Sequence, residues 1–177
     1  MEKPCGIIVF GANGSGKTTL GRALARVLNF KHMDVEDYAF ADSEIPYANE
    51  RSLDEQLRLM LADIEKHRSF VLSAVTGDFG DIIPKYYELA VYVSVPLELR
   101  LERIKQRAYD KFGSRVCKGG DMYEQQIEFQ NFVASRLLSR IEKWTETLSC
   151  PIIRIDGTED WCTNAANIAG QWHKIWA

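Results

Sequence analysis

Five short apolar runs divide the chain: residues 6–10, 30–34, 69–75, 89–95 and 151–155. Each has strand length, and the first, third and fourth are apolar at nearly every position. Strands buried on both faces read this way, as in a parallel sheet with helices above and below. Between the runs the apolar positions return with helical spacing. Leu20, Ala23, Leu24, Val27 and Leu28 form one stripe, and Leu53, Leu57, Met60, Leu61 and Ile64 a second. Leu97, Leu101, Ile104 and Ala108 form a third. One long stretch carries Phe129, Phe132, Val133, Leu137, Ile141, Trp144 and Leu148, and the tail carries Ile168, Trp172 and Ile175. Core packing is expected for every stripe and for all four tryptophans. Strand and helix in alternation predict an α/β domain built on a central parallel sheet.

A length of 177 residues, 46% of them apolar, suits one domain over 1–177. Such a chain buries roughly 70% of its unfolded surface and needs no disulfide or structural metal to fold. Lys plus Arg is 22 against 25 for Asp plus Glu, a net charge of -3. Without an overall basic field, nucleic acid is not an expected partner. No apolar run approaches the ~18 residues of a membrane span, so no membrane association is expected. The first residues lead straight into a strand-like run, which does not read as a signal peptide. Cys5, Cys117, Cys150 and Cys162 show no C-x-x-C spacing, and the histidines do not cluster with them. That pattern predicts free thiols in a reducing cytoplasm rather than a zinc site.

The candidate chemistry follows the first strand. Gly11-Ala12-Asn13-Gly14-Ser15-Gly16-Lys17-Thr18 fits G-x-x-x-x-G-K-[ST] at every position. It also stands where the motif must stand, after a buried strand and at the head of a helix. The glycines let the backbone approach an anion, and the loop N–H groups and helix dipole attract it. Lys17 would lie between the β- and γ-phosphates, Thr18 would offer its hydroxyl to Mg²⁺, and Thr19 would complete the contact. The pattern implies a nucleoside triphosphate and leaves open a small kinase, a GTPase or a nucleotide-gated binding module. No N-K-x-D guanine motif follows, which disfavours the GTPase.

With these residues in place the chain resembles the adenylate-kinase-like small P-loop kinases, which include nucleotide, shikimate and gluconate kinases. It is also similar to a group of small bacterial AAA-type ATPases. The resemblance spans nearly the whole chain in element order, although only the P-loop is highly specific. It implies a five-stranded parallel sheet in the order 2-3-1-4-5 with a short lid. It also implies ATP and Mg²⁺ as cofactors and a small-molecule phosphoryl acceptor. Asp34 would hold metal-bound water, and Asp34 or Asp37 would accept the acceptor's proton, although acidic residues here would equally cap a helix. Residues 37–66 would form the acceptor-binding segment, with Arg51 gripping an anionic group or, equally, pairing with a neighbouring carboxylate. Arg103 and Arg107, one helical turn apart, match the family's R-x-x-x-R. One of the pair would stack on adenine while others stabilise the transferring phosphoryl group. Residues 108–122, with Arg115 and Lys118, resemble the lid. Arg136 and Arg140 repeat the spacing on the following helix, and Ile155-Asp156-Gly157-Thr158 resembles the adenine-contacting loop.

The chain departs from the family pattern in its acidic residues. Ser73 stands where many P-loop enzymes carry an Asp, which shifts metal binding to Thr18 and Asp34. The G-F-P-R signature of adenylate kinases is replaced by Thr76-Gly77-Asp78-Phe79-Gly80-Asp81, and Asp42 and Glu44 add charge to the acceptor segment. Gly77 would line the acceptor site. These carboxylates disfavour a nucleoside monophosphate and leave a neutral or cationic hydroxylated acceptor. The expected activity is therefore an ATP-dependent small-molecule kinase, monomeric or homodimeric. A nucleoside monophosphate kinase and a nucleotide-binding regulatory ATPase remain as alternatives.

Overall fold

Residues Cys5–Phe10 form β1, the middle strand of a five-stranded sheet in the computed structural model, which describes residues 3–41 and 49–176. The other strands are β2 (Lys31–Asp34), β3 (Ser69–Ala74), β4 (Tyr87–Ser94) and β5 (Ile152–Asp156). All pair in parallel in the order β2-β3-β1-β4-β5. The helices are α1 (Lys17–Leu28), α2 (Val35–Ala39), α3 (Leu53–His67), α4 (Leu97–Phe112), α5 (Tyr123–Ser135), α6 (Ser139–Thr145) and α7 (Trp161–Trp176).

Side chains of a strand alternate between sheet faces, so two separate cores form. Ile7, Val9, Val71, Leu89, Val91 and Val93 pack under α1 and α7. Ile8, Phe10, Phe70, Leu72, Ala90 and Tyr92 pack on Met60 and Ile64 of α3 and on Ile141 and Trp144 of α6. That two-sided burial is why the central runs lack polar positions. Edge strand β5 alternates instead, and Arg154 lays its guanidinium 5.1 Å from the Tyr92 ring centroid of β4. Helix starts follow local chemistry. Ser52 caps α3 by accepting from the Glu55 N–H at 3.3 Å, with an acidic first turn behind it. Asp34 caps α2 in the same way.

Three expectations are corrected. The stretch from Phe129 to Leu148 is two helices, because Arg136 turns extended between α5 and α6. Its guanidinium lies over the Phe132 ring and reaches the Asn13 side chain. Leu137, 79% exposed, is accordingly outside the core. Of the four tryptophans only Trp144 and Trp172 are buried; Trp161 and Trp176 lie exposed on α7. Val27, Leu53, Phe132 and Ile175 are likewise exposed. The β3–β4 crossover, for which the periodicity gives no helix, holds a 3₁₀ turn at Pro84–Tyr86. Among the described residues no helix is long and apolar enough to cross a membrane.

Candidate active site

The carboxyl ends of β1, β2 and β3 bring the predicted residues to one end of the sheet, where ligands bind in open α/β folds. Between β1 and α1 the loop takes left-handed backbone at Gly14 (φ 82°) and Gly16 (φ 91°). A Cβ at Gly14 would stand 2.5 Å from the Arg100 carbonyl oxygen, so only glycine fits there. Gly16 caps α1 without a side chain, which leaves the first-turn N–H groups and the positive dipole end for an anion. The Ser15 hydroxyl is buried with no hydrogen-bond partner among the described residues. Next to this loop lies a cavity of about 370 Å³, lined among others by Gly16, Lys17, Thr18, Arg103, Arg107 and Gly157.

Lys17 is pushed to a pKa below its ordinary value by burial, partly opposed by the carboxylates of Glu36 and Asp34. Arg107 and Arg136 add to the lowering. An ammonium so placed gains from a polyanion, which supplies the countercharge that burial removed. Thr18 donates its hydroxyl to Asp34 Oδ2 at 2.7 Å, and Asp34 Oδ1 accepts from the Glu36 N–H at 3.1 Å. Asp34 thus caps α2 and faces Thr18 together, joining both readings of this residue. The pair offers hard oxygen donors of the type Mg²⁺ takes alongside phosphate and water. The residues present therefore fit ATP with Mg²⁺. At the end of β3, Ser73 donates to the Lys17 carbonyl at 3.2 Å. A hydroxyl has one proton, so His32 Nε2, 3.0 Å away, is the donor to Ser73 Oγ. Desolvation holds His32 neutral, with its pKa pushed down to about 4.

The α4 arginines divide their work. Arg103 donates to the carbonyls of Ser15 at 3.3 Å and Gly157 at 2.9 Å, tying the P-loop to the β5–α7 loop. Arg100, one turn earlier and buried, donates to Val95 O at 3.2 Å and Asn13 O at 3.4 Å. Arg136 donates to Asn13 Oδ1 at 3.5 Å. Three other expected residues stand apart. Arg51 Nη1 donates to the carbonyls of Asp37, Tyr38 and Phe40 at 2.7–3.0 Å, closing the end of α2, and pairs with Glu55. Arg115 is bound to Asp121 at 2.7 Å within the turn after α4. Gly77 accepts the Tyr87 hydroxyl at 3.2 Å, and its missing Cβ makes room for that ring. Asp37 is exposed on α2, while Asp42 and Glu44 lie outside the described residues.

Sequence reasoning did not single out Glu36, the strongest charge acting on Lys17, or Arg100 and His32. The available signals were the cap at Asp34, which puts residue 36 in the first helical turn, and the three-residue spacing of Arg100 to Arg103.

The family model described as "AAA domain" matches residues 7–129. The chain is 32% identical over 160 residues to "Uncharacterized protein YqaC" of Bacillus subtilis, covering 85% of this chain and 87% of that one. It is 33% identical over 94 residues to "Probable gluconokinase" of Rattus norvegicus, covering 47% of this chain and 51% of the other. Among solved structures, shikimate kinase from Acinetobacter baumannii superposes with a TM-score of 0.52 at 16% identity. That superposition covers 97% of this chain and 92% of the kinase, a likeness of fold alone. The motif in its strand–loop–helix setting, the sheet order and these matches agree that the chain belongs to the AAA domain family, in the group of small P-loop kinases.

Proposed function

We propose that the protein is an ATP-dependent phosphotransferase that moves the γ-phosphoryl group to a hydroxyl of a small molecule. The observation that carries this reading is the 2.7 Å hydrogen bond between Thr18 and Asp34 beside the half-buried Lys17. Catalysis of this kind is mostly positioning and charge stabilisation. The P-loop N–H groups from Gly11 to Thr19 hold the triphosphate. Lys17, Arg107 and Arg103 neutralise charge that builds on the transferring group. Thr18 and Asp34 would hold Mg²⁺, which would offset the phosphate charge. Asp34 or Asp37, at the start of α2, takes the proton that the acceptor hydroxyl releases as its oxygen bonds to phosphorus and ADP leaves. Residues 37–66 form the acceptor segment and residues 108–122 the lid. On closure Arg115 exchanges Asp121 for phosphate, because an exposed ion pair holds it only weakly.

The test is a coupled ADP assay with sugars, sugar acids, aminoglycosides and nucleoside monophosphates. Acceptor-stimulated ADP formation with a non-nucleotide hydroxyl compound is expected. Turnover that no acceptor raises would instead identify a nucleotide-binding regulator.

A further inference from the structure

Under the first turn of α1 the sheet carries three polar side chains. His32 and Asp34 stand two residues apart on β2, so they share a face, and Ser73 of β3 lies in register with Asp34. Val71, in register with His32, packs in the core beneath α1, so the three polar groups face α1 as well. Ser73 and Asp34 are buried. Buried polar groups need partners, and these find them on α1. Asp34 accepts the Thr18 hydroxyl at 2.7 Å. The Ser73 hydroxyl donates to the Lys17 carbonyl at 3.2 Å and accepts from His32 Nε2 at 3.0 Å. Two ties thus join β2 to consecutive residues of α1, one direct and one relayed through β3.

The helix makes room for this relay. Gly21 is the residue whose N–H closes on the Lys17 carbonyl in an α-helix. Glycine is a poor residue for a helix interior. A Cβ at this position would collide with Ser73 Oγ and stand 3.1 Å from His32 Nε2. Helix propensity is therefore given up at the turn where the two side chains reach the backbone. Ser73 also occupies the strand end that carries an Asp in many P-loop enzymes. Here its proton goes to the helix backbone and its oxygen takes the His32 proton, so it acts on the helix rather than as a substitute for that carboxylate.

We propose that His32 and Ser73 are positioning residues that fix the Lys17–Thr18 turn against Asp34, so that Thr18 and Asp34 present their oxygens to Mg²⁺ at one spacing. They act through the Lys17 carbonyl rather than on the ligand. The proposal deepens the phosphotransferase reading and rests on it for the identity of the ligand. Loop N–H groups can follow a small shift of the helix, whereas Mg²⁺ demands near-ideal octahedral geometry, so the metal feels the relay first.

Calorimetric titration of the full chain with ATP, with and without Mg²⁺, gives the factor by which the metal tightens binding. Ser73→Ala and His32→Leu should lower that factor about tenfold while metal-free affinity stays within about twofold. His32→Gln keeps an N–H donor and should recover most of the factor. Gln and Leu are close in size, so the contrast between them reads the hydrogen bond and not the packing. In the ligand-free chain, Ser73→Ala should also shift the NMR amide signals of Thr18 and of Glu36, whose N–H bonds to Asp34. Ser73→Ala removes a single atom, so it folds even where His32→Leu does not, and its factor then decides. A factor unchanged in Ser73→Ala, a metal-free affinity that falls as far as the factor, or equal losses in His32→Gln and His32→Leu would overturn the proposal alone. No ATP heat from the unaltered chain would overturn the nucleotide reading and the proposal together.

Discussion

Lys17 sits where burial opposes its charge and Glu36 and Asp34 support it. Replacing it with Ala removes the cation meant for the phosphates while the buried strand beneath stays intact. ADP formation should fall by about 10²–10³-fold with the melting temperature little changed. Unchanged turnover would exclude this site. Asp34→Asn keeps the shape of the cap but removes the negative charge facing Thr18. The Mg²⁺ concentration for half-maximal rate should rise about ten- to hundredfold, and an unaltered Mg²⁺ dependence would show that Asp34 is only a helix cap. His32 gives a separate, pH-linked prediction. Its pKa falls from 6.5 to about 4 on folding because the neutral ring is the one that burial favours. The stability it contributes is complete above pH 6.5 and is lost as the pH falls from 6.5 toward 4. The loss is on the order of 1 kcal/mol after solvent screening of a half-buried ring. Urea unfolding at pH 7.5 and 4.5 checks this, with His32→Gln expected to show the smaller difference between the two.

Helix α1 begins without a side-chain cap and α4 stands against the loop that precedes it. Gly14 is the contact between them, so Gly14→Ala meets both a left-handed backbone and the Arg100 carbonyl. A loss of about 1–3 kcal/mol in stability is expected, with weakened nucleotide binding. Wild-type stability in that variant would contradict the described loop. The P-loop and its strand–helix setting were legible in the sequence because motif and hydrophobic period point to the same place. The break at Arg136 was not, because Val133, Ile141 and Trp144 keep a helical repeat straight through it. Past α5, Arg136 stands extended and reaches Asn13 of the P-loop, a tertiary contact that the repeat does not show. Arg51 was ambiguous for a similar reason. A guanidinium suits an anion and a helix C-terminus equally, and here the carbonyls of α2 hold it.

The sheet joins these elements into one frame. Phe10, fully buried at the end of β1, stacks on Tyr92 and meets the edge of Trp144, so strand, sheet face and α6 all bear on a single ring. Phe10→Ala should cost about 3–5 kcal/mol in urea unfolding, and because Gly11 follows directly, nucleotide affinity should fall with it. The strand order expected from the resemblance is the order found, and the three continuously apolar runs occupy its centre. The exposure of Trp161 and Trp176 was hidden, because a C-terminal helix packed on α1 buries one face and the repeat alone does not say how wide. The whole reading depends on a triphosphate occupying the loop between β1 and α1. Calorimetric titration of the intact protein with ATP, with and without Mg²⁺, addresses it. Binding in the micromolar range, strengthened by Mg²⁺ and weakened at least tenfold by Lys17→Ala, is the predicted result. No heat at millimolar ATP, or equal affinity in the Lys17→Ala protein, would contradict it.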